Sequence, residues 1–210
     1  MSFEPVLLPT IIEALSAIIA QNAEEVTALD QVLGDGDHVT NVQRGLAALM
    51  TQREALSDLA WPVAWQQIGM SLMSAVGGAS GLLYSTFFLS LAKAGQGQDL
   101  TLNSFAECFA QAVDALKKRG KSEAGEKTLL DVFVPVSVYL TSAAERALPV
   151  AVVLTEVAEV AIAGMESTRD MLATKGRASF LEARSLGHID AGAKTAQLMI
   201  CALVEVLKKA

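Results

Sequence analysis

The chain has few of the residues that build small, cross-linked or ring-packed folds. Among its 210 residues are two cysteines, two histidines and five prolines, and aromatic side chains make up only 5%. Cys108 and Cys201 have no C-x-x-C spacing, so neither a disulfide framework nor a cysteine zinc site is supported, and both read as buried core residues. With so few rings, the interior must be filled by Leu, Val, Ile, Ala and Met, a balance that favours helices over a β-sandwich. Cations are also scarce. Lys and Arg number 16 against 23 acidic residues, a net charge of −7, which argues against nucleic acid as a partner because phosphate backbones need clustered Lys and Arg. An anionic ligand would therefore need local cations or a metal. No stretch reaches the ~18 uninterrupted apolar residues of a membrane span. The opening MSFEPVLLPTIIEALSAIIA has Glu4 where a signal peptide carries Lys or Arg, and Pro5 and Pro9 interrupt its apolar run. The expected setting is a reducing cytoplasm, without membrane attachment.

Helical periodicity is present almost everywhere. In NSFAECFAQAVDALKKRG, Phe105, Cys108, Phe109, Ala112 and Leu116 fall on one stripe, Lys117, Lys118 and Arg119 occupy the last turn, and Gly120 reads as the stop. A similar stripe runs through Val150, Val153, Leu154, Val157, Val160 and Ala161, with Pro149 suited to a first turn. The spacing predicts eight or nine helices in one domain spanning residues 1–210, at roughly 10–21, 23–32, 39–53, 61–75, 80–93, 103–119, 128–145, 149–172 and 191–208. No convincing alternating strand, repeat or long linker is present. Four irregular stretches, 33–38, 76–79, 120–127 and 173–190, follow alternate helices, so in an up-and-down bundle they lie at one end and form a mouth.

Each stretch suggests chemistry. Asp30, Asp35 and Asp37 form a D-x4-D-x-D pattern with Gly34 and Gly36 between them. Carboxylates are hard ligands suited to Mg2+, and the glycines let the backbone aim them at one point. An EF-hand is ruled out, since the fifth, sixth and twelfth positions from Asp35 are Val39, Thr40 and Leu46. The plainer reading is a helix stop at Gly34 with Asp37 as N-cap of the next helix, and that helix start also offers N–H groups to phosphate. Asn41 lies one turn beyond His38 and either meets a ligand or faces water. In SAVGGASG, small residues around Ala79 and Ser80 allow close approach of a ligand or make a tight turn. GKSEAGEKT is not a phosphate loop: Ala115 stands where the first glycine of a Walker motif belongs, and a helix leads in where a strand is required. In TKGRASFLEARSLGHIDAGAKT, Arg177 suits bidentate phosphate contact and Asp190 suits the cap of the last helix.

Taken together, LDQVLGDGDHVTN, VGGASG, GKSEAGEKT, KGRAS and LGHIDAGA resemble, in order and spacing, the nucleotide-binding L subunit of bacterial dihydroxyacetone kinases. The resemblance implies an all-α, eight-helix antiparallel up-and-down barrel binding ADP, or ATP, with two Mg2+ ions at one end. By this resemblance Asp30, Asp35 and Asp37 hold the metals. His38, Val39, Thr40 and Asn41 lie against the phosphates; Ala79, Ser80, Gly120 and Leu129 touch the nucleotide; Arg177 and the Asp190, Ala191, Gly192 turn complete the pocket. It further implies a K subunit that carries dihydroxyacetone on its own histidine, so neither His38 nor His188 takes that role and no catalytic residue is assigned to this chain. A multiphosphoryl transfer subunit, M, rephosphorylates the bound ADP. Alternatives are a paralogue for another short ketose or one using ATP directly, and a non-catalytic nucleotide-loaded protein that binds a regulator; a homodimer is the one self-association left open. The chain departs from the family pattern at Val39, where glycine is usual, and at Leu82, where proline is frequent. A β-branched residue disfavours positive φ, so residue 39 is expected in the αR or β region.

Overall fold

A computed structural model describes residues 4–210. Ten α-helices run along the described chain: α1 (Leu8–Gln21), α2 (Ala23–Leu33), α3 (His38–Met50), α4 (Arg53–Ser57), α5 (Trp61–Ala75), α6 (Gly78–Ala94), α7 (Leu102–Gly120), α8 (Leu130–Glu145), α9 (Val150–Ser167) and α10 (Ala191–Leu207). No strand occurs among the described residues, as composition implied. Eight of these helices pack in the order α1, α3, α5, α6, α7, α8, α9 and α10, and α10 returns against α1, which closes a ring. Two helices stand outside it. The one-turn α4, which periodicity did not predict, packs against α1, and α2 lies across α3 and α10. Among the described residues, no single helix is long and apolar enough to cross a membrane.

α2 leaves the ring because the chain bends by 63° between Pro5–Gln21 and Ala23–Leu33. Asn22 causes the break: its side-chain Nδ2 and its backbone N–H both donate to the Ile18 carbonyl, ending α1 with its last turn satisfied. Four residues of the predicted stripe of α7, Cys108, Phe109, Ala112 and Leu116, are all under 10% exposed, and the fifth, Phe105, is half-buried. A reciprocal capping box starts this helix, Ser104 N–H donating to Thr101 Oγ1 and Thr101 N–H to Ser104 Oγ. It ends one residue later than Gly120 suggested: Gly120 is the last helical residue and Lys121 takes the left-handed turn at φ 47°. Cys201, expected in the core, is only half-buried. α9 stops at Ser167, before a 3-10 turn at Thr168–Asp170, and the stretch expected to be irregular carries a further 3-10 segment, Arg177–Ser185, with a left-handed break at Glu182.

The few rings are concentrated. Phe87 stacks on Phe133 with centroids 5.1 Å apart, and Phe109 meets both edge-on, so the centre of the ring of helices is aromatic although the chain is not. A smaller apolar cluster, which includes Ile19, Val26, Val39, Val42, Leu46 and Leu198, seats α2 on α3 and α10.

α8 and α9 cross unusually closely. Pro135 inside α8 cannot donate to the Asp131 carbonyl one turn earlier, and Gly164 of α9 comes down on that same carbonyl. A Cβ at 164 would meet the Asp131 oxygen at 2.3 Å and Val132 Cα at 3.1 Å. Gly164→Ala is expected to force the helices apart and cost about 1–3 kcal/mol, read as a lowered urea midpoint; an unchanged midpoint would show that the crossing is not tight.

Candidate functional site

The four stretches predicted to share one end do meet. Arg177 pairs with Asp35 across the mouth (Nη2 to Oδ2, 2.8 Å). His38 bonds Ser80 at the start of α6 and Thr195 in α10. Glu126 receives the Thr174 hydroxyl (3.1 Å) and the Lys175 ammonium (3.4 Å). The 33–38, 76–79, 120–127 and 173–190 segments thus close a single rim.

Within the first segment, Asp30 lies in the last turn of α2 while Asp35 and Asp37 are exposed in the turn itself, and one oxygen from each lies within 4.8 Å of the others. Oxygens around an octahedral Mg2+ are spaced about 3 to 4 Å apart, a small inward rotation for two exposed side chains. The hard, all-carboxylate donor set fits a divalent metal, and these three residues are the ones that would hold it. Local geometry keeps the oxygens together. A Cβ at Gly34 would strike Asp30 Oδ1 at 2.5 Å, and Gly36 sits at φ +77°, so both positions favour glycine. The plainer expectation for Asp37 is not met: it stands at the N-cap position of α3 without a side-chain cap bond. Asp30 takes that task, its Oδ2 accepting from His38 N–H at 3.0 Å, which leaves the Asp37 carboxylate available.

His38 is held at both ring nitrogens, Nδ1 to Ser80 Oγ (3.1 Å) and Nε2 to Thr195 Oγ1 (2.9 Å). The Thr195 hydroxyl donates to the Gly192 carbonyl, so it accepts from Nε2–H and leaves Nδ1 to accept from Ser80. Burial lowers the His38 pKa against the pull of Asp30 and Asp37. A neutral ring tied on both sides braces the starts of α3, α6 and α10 and has no free nitrogen for proton transfer. Val39 is helical, as a β-branched residue requires, and its side chain is buried in the smaller cluster together with that of Ala191. These two residues therefore face the mouth only through backbone. Asn41, placed between ligand and water by sequence, is buried; its Oδ1 accepts from Arg44 (3.1 Å) and it lies beside Gly77 and Gly78. Thr40, Ala79, Gly120 and Arg177 are exposed at the rim, and Ser80, Leu129 and Gly192 are half-buried below it.

Asp190 caps α10, its Oδ2 accepting from Ala193 N–H at 2.7 Å, as its position predicted. Gly192 lies where a Cβ would approach Asp190 Oδ2 at 3.0 Å and Leu129 at 3.8 Å, which brings three of the expected nucleotide residues together. Four residues beneath the rim escaped the sequence reading. Asp131 accepts from the N–H groups of Gly125 and Thr128, Thr168 Oγ1 accepts from Asp190 N–H, Thr195 locks His38, and Lys127 is fully buried. Their only sequence signal is polarity without amphipathic spacing, which does not distinguish an inward from an outward side chain.

Burial raises the Asp190 carboxyl to about 7, with Ala193 N–H and Lys127 opposing the rise and Asp131 and Asp30 adding to it. Its folded-state pKa lies above the unfolded value, so stability falls as pH rises from about 4 to about 7 and the cost is constant above that. Asp190→Asn retains a capping oxygen without the charge. In EDTA its Tm is expected to exceed wild type at pH 8, the gap shrinking below pH 7 and closing near pH 4. A gap of constant size, or one that grows on acidification, would contradict this assignment.

Known proteins resemble this chain over nearly its whole length. It is 39% identical over 193 residues to a protein of Escherichia coli (strain K12) named PEP-dependent dihydroxyacetone kinase, ADP-binding subunit DhaL, covering 91% of this chain and 92% of that one. It is 38% identical over 192 residues to the corresponding subunit of PEP-dependent dihydroxyacetone kinase 1 of Listeria innocua, covering 89% of each. Among solved structures, the dihydroxyacetone kinase of C. freundii in complex with AMP-PNP and Mg2+ superposes with a TM-score of 0.73 at 23% identity, over 98% of this chain. This chain spans only about a third (34%) of that kinase chain, so the likeness is one of fold. The DAK2 domain matches residues 32–205, and the chain belongs to that family.

Proposed function

We propose that this chain is the ADP-binding subunit of a phosphoenolpyruvate-dependent dihydroxyacetone kinase. The observation that carries the reading is the convergence of Asp30, Asp35 and Asp37 opposite Arg177, at a mouth where α3, α6 and α10 all begin. The relatives named as ADP-binding subunits match nine-tenths of the chain. A net charge of −7 repels a diphosphate unless something at the site reverses the sign locally, and the acidic triad does so by recruiting metal.

In this reading the three carboxylates hold two Mg2+ ions, which when bound neutralise phosphate charge and keep the terminal phosphoryl group in line with its acceptor. The chain's own residues do the placing. Asp30 fixes the start of α3 through Oδ2 and offers Oδ1; Asp35 and Asp37 turn inward from the exposed loop. Backbone N–H groups of Val39 and Thr40, and exposed Ala79 with half-buried Ser80 in the first turn of α6, face the phosphates, as helix starts do. Arg177, exposed at the rim beside Asp35, would offer its guanidinium to phosphate oxygen. Gly120, Leu129 and the Asp190–Gly192 turn frame the rest of the nucleotide. One chain supplies every one of these groups, so a homodimer adds nothing to the site.

ADP stays bound as a relay: a phosphotransferase-system protein, the M subunit, donates to it, and a K subunit presents dihydroxyacetone on its own histidine. Phe180, 84% exposed, with Leu172 and Leu186 on the same segment, gives the rim apolar surface for that docking. The setting is the cytoplasm that holds the phosphoryl donor.

Asp35→Ala and Asp37→Ala should each lower phosphoryl transfer to dihydroxyacetone, in the complex reconstituted with K and M subunits, by about 100-fold or more. Far-UV circular dichroism should match wild type because both residues are exposed. Wild-type turnover from either variant refutes the metal assignment, whereas nucleotide and metal binding without any transfer by the wild-type complex points to a regulator-binding protein. Turnover with added ATP and no M subunit points to the direct kinase.

A further inference from the structure

We propose that Lys127 is a positioning residue for the nucleotide, holding the neck of the 168–188 excursion so that the Asp190–Gly192 turn and Leu129 face the ligand together. The inference rests on the nucleotide reading of the mouth.

Lys127 is 2% exposed. An ammonium is costly to bury and persists only where its donors are used. The backbone also works against ordinary preference to put it there: Lys127 sits at φ 61°, a left-handed conformation that side chains other than glycine resist. Turned inward in this way, its Nζ donates to the carbonyls of Thr168 and His188. Those carbonyls stand at the two ends of one excursion. Thr168 closes the α9 end, His188 precedes α10, and the segment between them carries Lys175, Arg177 and the exposed Phe180. Two further bonds draw the same neck shut, Gly187 N–H to the Arg169 carbonyl (2.8 Å) and Asp190 N–H to Thr168 Oγ1 (3.1 Å). Lys127 is the one member of this neck that comes from another part of the chain, the loop leading into α8.

That loop is itself anchored from below, since Asp131 accepts from Gly125 and Thr128 N–H. Lys127 therefore links the platform of Leu129 to the turn containing Asp190 and Gly192, and Gly192 stands 3.8 Å from Leu129 when measured from a built Cβ. Its surroundings are negative. Burial lowers its pKa while Asp190 and Asp170 pull the other way, yet no direct ion pair to Lys127 occurs among the described residues. The ammonium is thus held by carbonyls, with the carboxylates as a diffuse counter-charge, an arrangement that fixes backbone positions.

Lys127→Met keeps the length of the side chain and removes the donors. By calorimetry, Mg-ADP binding should weaken at least tenfold, while Mn2+ binding to the acidic triad without nucleotide stays within twofold of wild type. Amide exchange should quicken at 171–188 and 190–193 but not in α5, α6 or α7, a pattern that a general loss of stability would not give. Nucleotide affinity within twofold of wild type in the folded variant overturns the proposal, as does exchange that quickens uniformly. If Lys127→Met does not fold, Thr168→Val removes another tie of the same neck, the Thr168 Oγ1 bonds with Asp190 N–H and the Met165 carbonyl, and unchanged nucleotide affinity in that variant overturns the proposal equally. Failure of the wild-type protein to bind Mg-ADP overturns the functional reading instead, and local exchange at 171–188 and 190–193 in the variant still decides the structural role of Lys127.

Discussion

Crowding three carboxylates into one turn is the constraint from which most of the upper half of this molecule follows. Like charges at this distance repel, and the chain accommodates them with specific local devices. Gly34 leaves room beside Asp30 Oδ1, Gly36 supplies a positive φ, Asp30 spends one oxygen on the His38 N–H, and Arg177 reaches from a distant loop to pair with Asp35. The 63° bend at Asn22 has its purpose here too. It takes α2 out of the ring so that its C-terminal end delivers Asp30 to the mouth, where the smaller apolar cluster seats it on α3 and α10.

The ring of eight helices is the rigid frame for that turn. Its centre is knit by stacked and edge-on phenylalanines and its α8–α9 seam by the contact of Gly164 with the carbonyl that Pro135 leaves free. With the frame fixed, the mouth is tuned by polar links between loops that are far apart in sequence. His38 joins three helix starts, Glu126 joins the 120–127 and 173–190 segments, and Lys127 closes the neck of the latter. Polar bonds shielded from water are stronger and cooperative, and costly when incomplete, so the links of His38 and Lys127 specify one arrangement of the rim, whereas the Glu126 link lies at the surface.

The sequence was informative where chemistry is local. The apolar stripe of α7, the cap at Asp190 and the glycines flanking Asp35 all follow from spacing within a dozen residues, α5 begins and ends where periodicity put it, and the four loops were placed at one end by counting alternate helices. What escaped depends on contacts across the fold. Nothing in GEKT says that Lys127 turns inward, because its partners are the carbonyls of residues 168 and 188, and backbone acceptors leave no mark in sequence. Thr195 looks like any helical threonine until His38 arrives from 157 positions away. Asp37 carries the right residue type for an N-cap, but the tertiary approach of Asp30 took the role. The 3-10 segment at Arg177–Ser185 was hidden because short turns of that kind lack a hydrophobic period.

The central claim is that the acidic turn grips divalent metal and that the metal tethers a nucleoside diphosphate. Crystals grown with ADP and Mn2+ test it directly through the anomalous signal of manganese. The account predicts anomalous peaks bounded by Asp30, Asp35 and Asp37 and continuous with the phosphates of ADP lying across the starts of α3 and α10. Manganese at another position, or ADP seated in the mouth with no metal beside these carboxylates, would contradict it.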